Sequence, residues 1–353
     1  MRIWRPALAT GSAVVLLLSA SLAAQNPQPR KMSDADRKEI QTILKIVDDV
    51  AAGQPARNEL SLAWAHNDVM KAQGNKQYLP FSVTIDASKV TGNRVSLYWR
   101  VVARTPAAAP VEPAQKPGRR DDKKDARPEY AYEDLSPVTL PQGNSTSLRL
   151  SRSITVGPGD YDVYVVVKEP TPERAPRNAP PQKVSLIKQP MTVPNLWTDE
   201  LATSSVIVAE RIDPLPAPLT PQQQTERPYA LGSMEIVPAS GSAFPKSAEL
   251  STFLLIYNTR TDSANKPDVS VEYNFYTKQA GAEKFFNKTN PQNLNAQTLP
   301  PDFDFAAGHQ LQSGQAVPLE SFPSGEYRLE IKVTDKIANK SLTRDVSFSV
   351  SGS

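Results

Sequence analysis

Two histidines, His66 and His309, are the only imidazoles in the chain, and there is no cysteine. Nucleophile–base pairs are thereby limited to Ser, Thr, Lys or carboxylates, and no nucleophile elbow, H-E-x-x-H pair, phosphate loop or dinucleotide fingerprint accompanies either histidine. His66 stands beside Asn67 and Asp68 and His309 in a Gly-bounded turn, so both read as surface residues rather than catalytic bases. Asp302-Phe303-Asp304-Phe305 places two acids on one face of an extended segment, and Asp262 and Asp268 flank a loop. A loop calcium site needs such oxygens, but the spacing lacks the Gly and terminal Glu of an EF-hand, and strand-edge acids that oppose sheet association are the plainer account. Phe275, Tyr276, Phe285 and Phe286 are candidates for a carbohydrate platform, although a sandwich should take at least half of them into its core. Asn144-Ser145-Thr146, Asn287-Lys288-Thr289 and Asn339-Lys340-Ser341 are glycosylation sequons that matter only in a glycosylating host. The residues name no catalytic, cofactor-binding or metal site, and the chain is expected to be no enzyme and to need no cofactor.

The elements that would position these groups are bounded by composition. The chain carries 33 Pro against 15 Gly, which favours rigid corners and exposed linkers over a helical bundle. A formal net charge of +3 gives no footprint for nucleic acid. Residues 1–24 read as a secretory signal: Arg2 and Arg5 form the basic n-region, Ala13 to Leu18 the apolar core, and Ser21 to Ala24 the small-residue cleavage site. The competing reading is an uncleaved anchor, because Ala7 to Ala24 has no charge; with cleavage, no membrane span is left. Without cysteine there is no disulfide framework, so an exported chain must rely on its cores.

Periodicity then divides the chain. In the segment 25–55, Ser33 to Asp36 starts a short helix, Ile40, Ile43, Leu44 and Val47 form its apolar stripe, and Gly53 with Pro55 ends it. The stripe docks on the adjoining sandwich or, alternatively, on a partner. From Leu60 the period is two. Leu60, Leu62 and Trp64 alternate with smaller residues, Gly74-Asn75 turns a hairpin before Tyr78 to Ile85, and Val95, Leu97, Trp99 and Val101 form a buried row. An insert near 104–128 holds seven basic and four acidic residues and reads as a disordered loop. Strands follow over Leu148–Thr155, Tyr161–Val167 and Val184–Val193, closing a first domain over 56–195.

The second domain, 199–353, repeats these phrases. Leu201 to Ala209, Met234 to Val237 and Leu250 to Tyr257 have strand composition, whereas Pro214 to Pro228 is a proline- and Gln-rich excursion. V-S-V-E-Y-N-F from Val269 matches V-S-L-Y-W-R-V from Val95, with Tyr273 where Trp99 stands. V-G-P-G-D-Y at 156–161 and F-P-S-G-E-Y at 322–327 each turn a corner directly before a tyrosine that heads an alternating strand. This resembles the tyrosine corner of immunoglobulin-like sandwiches, and Trp99 resembles their core tryptophan. The predicted fold is all-β: two tandem immunoglobulin-like β-sandwiches preceded by a signal peptide and one short amphipathic helix.

The order L-A-T-S-S-V-I-V-A-E (201–210), M-E-I-V-P (234–238), L-S-T-F-L-L-I-Y-N (250–258) and F-P-S-G-E-Y-R-L-E-I-K-V-T-D (322–335) resembles the β-sandwich regions of secreted bacterial proteins that accompany von Willebrand factor A-type or Gly-Trp-x-Thr-Asp domains. Trp197-Thr198-Asp199 lacks the preceding Gly and spacer and is not that motif. The resemblance implies fold and envelope location and carries no activity and no site. The expected function is an exported, non-enzymatic interaction or scaffold protein of a bacterial envelope, periplasmic or extracellular, with an envelope protein or glycan as partner. The alternative is a carbohydrate- or peptidoglycan-binding module.

Overall fold

The computed structural model describes residues 34–104, 130–141, 146–172, 181–279 and 282–352. The leader over 1–24, the Ser33 cap, the Asn144 sequon and nearly all of the insert near 104–128 lie outside the described residues. The chain forms two compact units. One takes the described residues up to Thr198 together with Thr220–Tyr229, and the other takes Asp199–Leu219 and the chain from Ala230 onward.

The first unit begins with α1 (Asp34–Ala51) and continues with β1 (Ala63–Asn67), β2 (Met70–Ala72), β3 (Lys76–Asp86) and β4 (Arg94–Ala103). β5 (Tyr132–Thr139), β6 (Ser147–Val156), β7 (Gly159–Lys168) and β8 (Val184–Val193) complete it, together with a helical turn, α2 (Pro221–Glu226). One sheet runs β5-β4-β7-β8; in the other, β3 pairs with β1 and β2 and with β6. The predicted hairpin is present: Gly74 and Asn75 have φ of 70° and 57°, the left-handed pair that lets β2 fold back on β3. Leu79, Phe81, Val83, Val95, Leu97, Trp99, Val163 and Val165 are buried together between the sheets, and the Trp99 indole donates to Ser153 O on β6.

α1 lies on the outer face of the β5-β4-β7-β8 sheet. Ile43 and Val47 are fully buried against Tyr98, Tyr164, Val166, Val184 and Leu186. The same face buries two cations, and the helix supplies a carboxylate to each: Lys168 Nζ lies 2.8 Å from Glu39 and Arg100 Nη1 2.6 Å from Asp48, with Glu133 of β5 a further 3.3 Å partner of Arg100. The predicted stripe thus packs on its own sandwich, because that sheet is apolar on both sides.

The second unit contains β9 (Ala202–Thr203), β10 (Ile207–Pro214), β11 (Ala230–Leu231), β12 (Met234–Pro238), β13 (Ala243–Pro245) and β14 (Glu249–Tyr257). It continues with β15 (Val269–Gln279), β16 (Ala282–Lys288), β17 (Gln292–Leu294), β18 (Leu311–Pro318), β19 (Gly325–Asp335) and β20 (Lys340–Ser351). The sheets are β11-β12-β10-β14-β18, with β9 on β14, and β13-β20-β19-β15-β16, with β17 on β15. Between them lie Leu250, Leu254, Val271, Tyr273, Phe275, Leu329, Ile331 and Phe348. The Tyr273 hydroxyl shares a 2.8 Å hydrogen bond with Ser313 Oγ on β18.

Both corner tyrosines turn inward. Tyr161 Oη donates to Gly157 O at 3.0 Å, and Tyr327 Oη donates to Pro323 O at 2.6 Å. Each hydroxyl reaches back four residues and ties the strand to the corner that precedes it. The architecture is all-β and immunoglobulin-like, with β-strands stacked as two-layer sandwiches.

Candidate functional site

A group of buried polar side chains lies on the first unit's β1/β2–β3–β6 sheet. β1 and the turn after it place His66 and Asp68 side by side: Nε2 and Oδ2 are 2.6 Å apart, with the Asp68 side chain only 2% exposed. The two atoms are in ion-pair range but are not aligned as a hydrogen bond, and neither has another hydrogen-bond partner. The Tyr229 ring sits 6.3 Å from the imidazole. Burial, and after it the Asp68 carboxylate, pushes the Tyr229 hydroxyl well above the usual tyrosine range. Burial likewise pushes Tyr78 up to about 12. Each tyrosine donates to a proline carbonyl in the other's segment: Tyr78 Oη to Pro228 O at 2.9 Å, and Tyr229 Oη to Pro80 O at 3.3 Å.

His66 is therefore not a plain surface residue, as its position in sequence implies. It is half-buried and paired with a buried carboxylate, because the fold brings Asp68 inward beneath a segment more than a hundred residues away. Pro214 to Pro228 is likewise more than a loop. Thr220 Oγ1 accepts from Gln223 N–H while the Gln223 side chain accepts from Thr220 N–H, a reciprocal cap on a helical turn started by Pro221. Residues 220–229 form a strap across β3 and β6, although sequence order places them within the second half.

In the second unit, the segment 302–305 is turned rather than extended. Phe303 is buried, Asp302 and Asp304 are exposed, and the acids do not line a strand edge. His309 Nδ1 accepts the Asp304 N–H at 3.0 Å, while Asp304 Oδ1 accepts the N–H of Ala306. The imidazole is thus used to close the turn. Asp262 Oδ1 accepts the N–H groups of Ala264 and Lys266, and Asp268 pairs with Lys336 at 3.2 Å. Asp262 Oδ1 is thus used to shape its own turn, and Asp268 Oδ1 faces the Lys336 ammonium. Among the described residues no group of three or more His, Asp or Glu is arranged to hold a metal.

The four candidate platform rings divide. Phe275 is core, and Phe286 packs on Phe322 and Tyr327. Phe285 is 52% exposed and meets Tyr276 at 81°, edge to face, so the two outer rings share no plane. Arg328 lies 4.4 Å over the Tyr276 ring and is held by Glu283, Glu330 and Asp345. A groove of about 680 Å³ opens where β10 leaves β14 for β12, lined by Ile212, Phe244, Ala248, Glu249 and Ala316 among others. Its cation, Arg211, is engaged by Asp213 at 2.8 Å, and its walls are mostly small side chains.

No family model matches the chain, and no curated protein matches it. Among solved structures it is similar to an immunoglobulin-like protein from Pseudomonas aeruginosa, at 11% identity over 42% of this chain and 97% of that one. The TM-score of 0.20 is too low for that likeness to carry any argument about this chain.

Proposed function

We propose that the chain is an exported, non-enzymatic interaction or scaffold protein of a bacterial envelope. The observation that supports this reading is how the polar groups suited to chemistry are used. His309, Asp304 and Asp262 hold turns, Asp268 pairs with a lysine, and His66 and Asp68 pair with each other beneath a strap. Side chains engaged in this way build rigid surfaces, which is what a recognition module on a sandwich scaffold requires. The leader over 1–24 supports export. Trp99 with Tyr273 and Tyr161 with Tyr327, in matching places, support a tandem repeat.

Crosslinking in the native envelope followed by recovery of the full chain tests the proposal. A saturable protein partner is the expected result; retention on purified peptidoglycan or polysaccharide without a protein partner would overturn it in favour of glycan binding. That second reading rests on the exposed Phe285 beside Tyr276, whose perpendicular rings suit the flat face of a sugar poorly.

A further inference from the structure

The strap is an intramolecular ligand of the sheet. Its grip includes side-chain hydroxyls donating to backbone carbonyls in both directions, Tyr78 to Pro228 and Tyr229 to Pro80. Both tyrosines are more than nine-tenths buried, and Tyr229 adjoins the His66–Asp68 pair. None of these contacts requires that strap and sheet share a chain. The capping box preforms the helical turn, so little order has to be created on docking. Leu215 N–H bonds to Ser233 O at 2.7 Å, which closes the chain between them into a loop.

We propose that the outer face of the β1/β2–β3–β6 sheet is a docking surface for a Pro-Tyr-bearing strap, and that a second copy of this chain supplies residues 220–229 to it when its own strap is displaced. Exchange of an identical element between copies re-forms the same contacts and needs no new complementarity. The resident strap competes at an effective concentration on the order of mM, so exchange is suppressed until the face is vacated or copies are crowded together.

Two full-length variants separate face from strap. Tyr229→Ala leaves an intact face under a weakened strap, and Tyr78→Ala leaves an intact strap over a damaged face. In sedimentation velocity each alone should be monomeric, whereas their mixture should form a one-to-one dimer whose fraction rises with concentration. A labelled peptide of residues 218–231 should bind Tyr229→Ala at least about tenfold more tightly than the parent, whose own strap competes. If the alanine variants fold poorly, Tyr229→Phe and Tyr78→Phe keep the rings and remove only the hydroxyls. A mixture that stays monomeric, even with the peptide bound to Tyr229→Ala, overturns donation by a second copy. Failure of the peptide to bind Tyr229→Ala overturns the docking surface itself.

Discussion

The corner-bearing sheets of the two units carry the same inner side and opposite outer sides. On the inner side, Trp99, Tyr161, Val163 and Val165 of the first unit match Tyr273, Tyr327, Leu329 and Ile331 of the second in burial. On the outer side, β4, β7 and β8 present Tyr98, Tyr164, Val166, Val184 and Leu186, all buried beneath α1. The corresponding strands β15, β19 and β20 present a polar outer side, with Asn274, Tyr276, Arg328, Glu330 and Lys332 half-buried and Asp345 exposed. The inner register is fixed by the need to bury one face, and the outer face is free to follow whatever covers it. In the first unit the cover is part of the fold. Without α1, Lys168 would lose its carboxylate partner Glu39, and Arg100 would lose Asp48 and keep only the Glu133 carboxylate of β5.

The largest losses are expected from the inner sides. Tyr327→Ala should destabilise the second unit by roughly 3–5 kcal/mol, the cost of excising a large aromatic from a core. Tyr161→Ala should act on the first unit by a similar or slightly smaller amount, because Tyr161 is 8% exposed against 1% for Tyr327. Denaturant melts that left either variant indistinguishable from the parent would contradict the inward register of β7 or β19.

The outer sides should respond differently. Glu39→Ala strands the Lys168 ammonium, whose side chain is 5% exposed, at a cost of about 3 kcal/mol. Combining it with Lys168→Met removes the orphaned charge and should recover most of that loss, as replacement of both partners of a buried pair usually does. Failure of the second substitution to rescue the first would mean that Glu39 acts through something other than Lys168.

Smaller effects sharpen the corners. Tyr161→Phe and Tyr327→Phe keep the rings but remove the donors to Gly157 O and Pro323 O, and each should cost roughly 0.5–1.5 kcal/mol, because neither corner residue is buried. Equal losses in equilibrium melts would mark the corners as equivalent; a loss in one alone would break the parallel between the units.

An effect no larger is expected on the solvated face. Arg328 contacts three carboxylates and a ring, yet Arg328→Ala should cost only about 1 kcal/mol, because its partners are partly hydrated. A loss that shrinks further at high salt would agree with this, and a loss rivalling that of Glu39→Ala would mean that the second unit's outer face is also covered.

How far the fold could be read from sequence depends on the range of the interactions involved. The corners, the Gly74-Asn75 hairpin, the inward rows around Trp99 and Tyr273 and the stripe of α1 are all set by neighbours a few residues apart, and they stand where periodicity puts them. Short or edge strands such as β5, β13 and β16 were not legible, because one-sided pairing and partial burial leave little alternation. The strap had a local sign, Thr220 followed by Gln223, but its proline-rich setting reads as a loop. Its partner sheet is fixed only by Tyr229 reaching Pro80 and Pro228 accepting from Tyr78. The same long-range closure turns His66 from a surface residue into the partner of a buried carboxylate. At 302–305 the alternating Asp and Phe suggest an extended segment, but the N–H groups bound by His309 and Asp304 bend it into turns.

Native-state hydrogen exchange on the full chain tests most directly whether one inner plan carries two different outer faces, the first completed by its helix. Amides of β7 and β19 should be among the slowest in their respective units, and those of α1 from Glu39 to Val50 should exchange with protection approaching that of β7. Protection of α1 no greater than that of exposed turns, with β7 still slow, would show that the helix is no part of the first sandwich and would contradict the account.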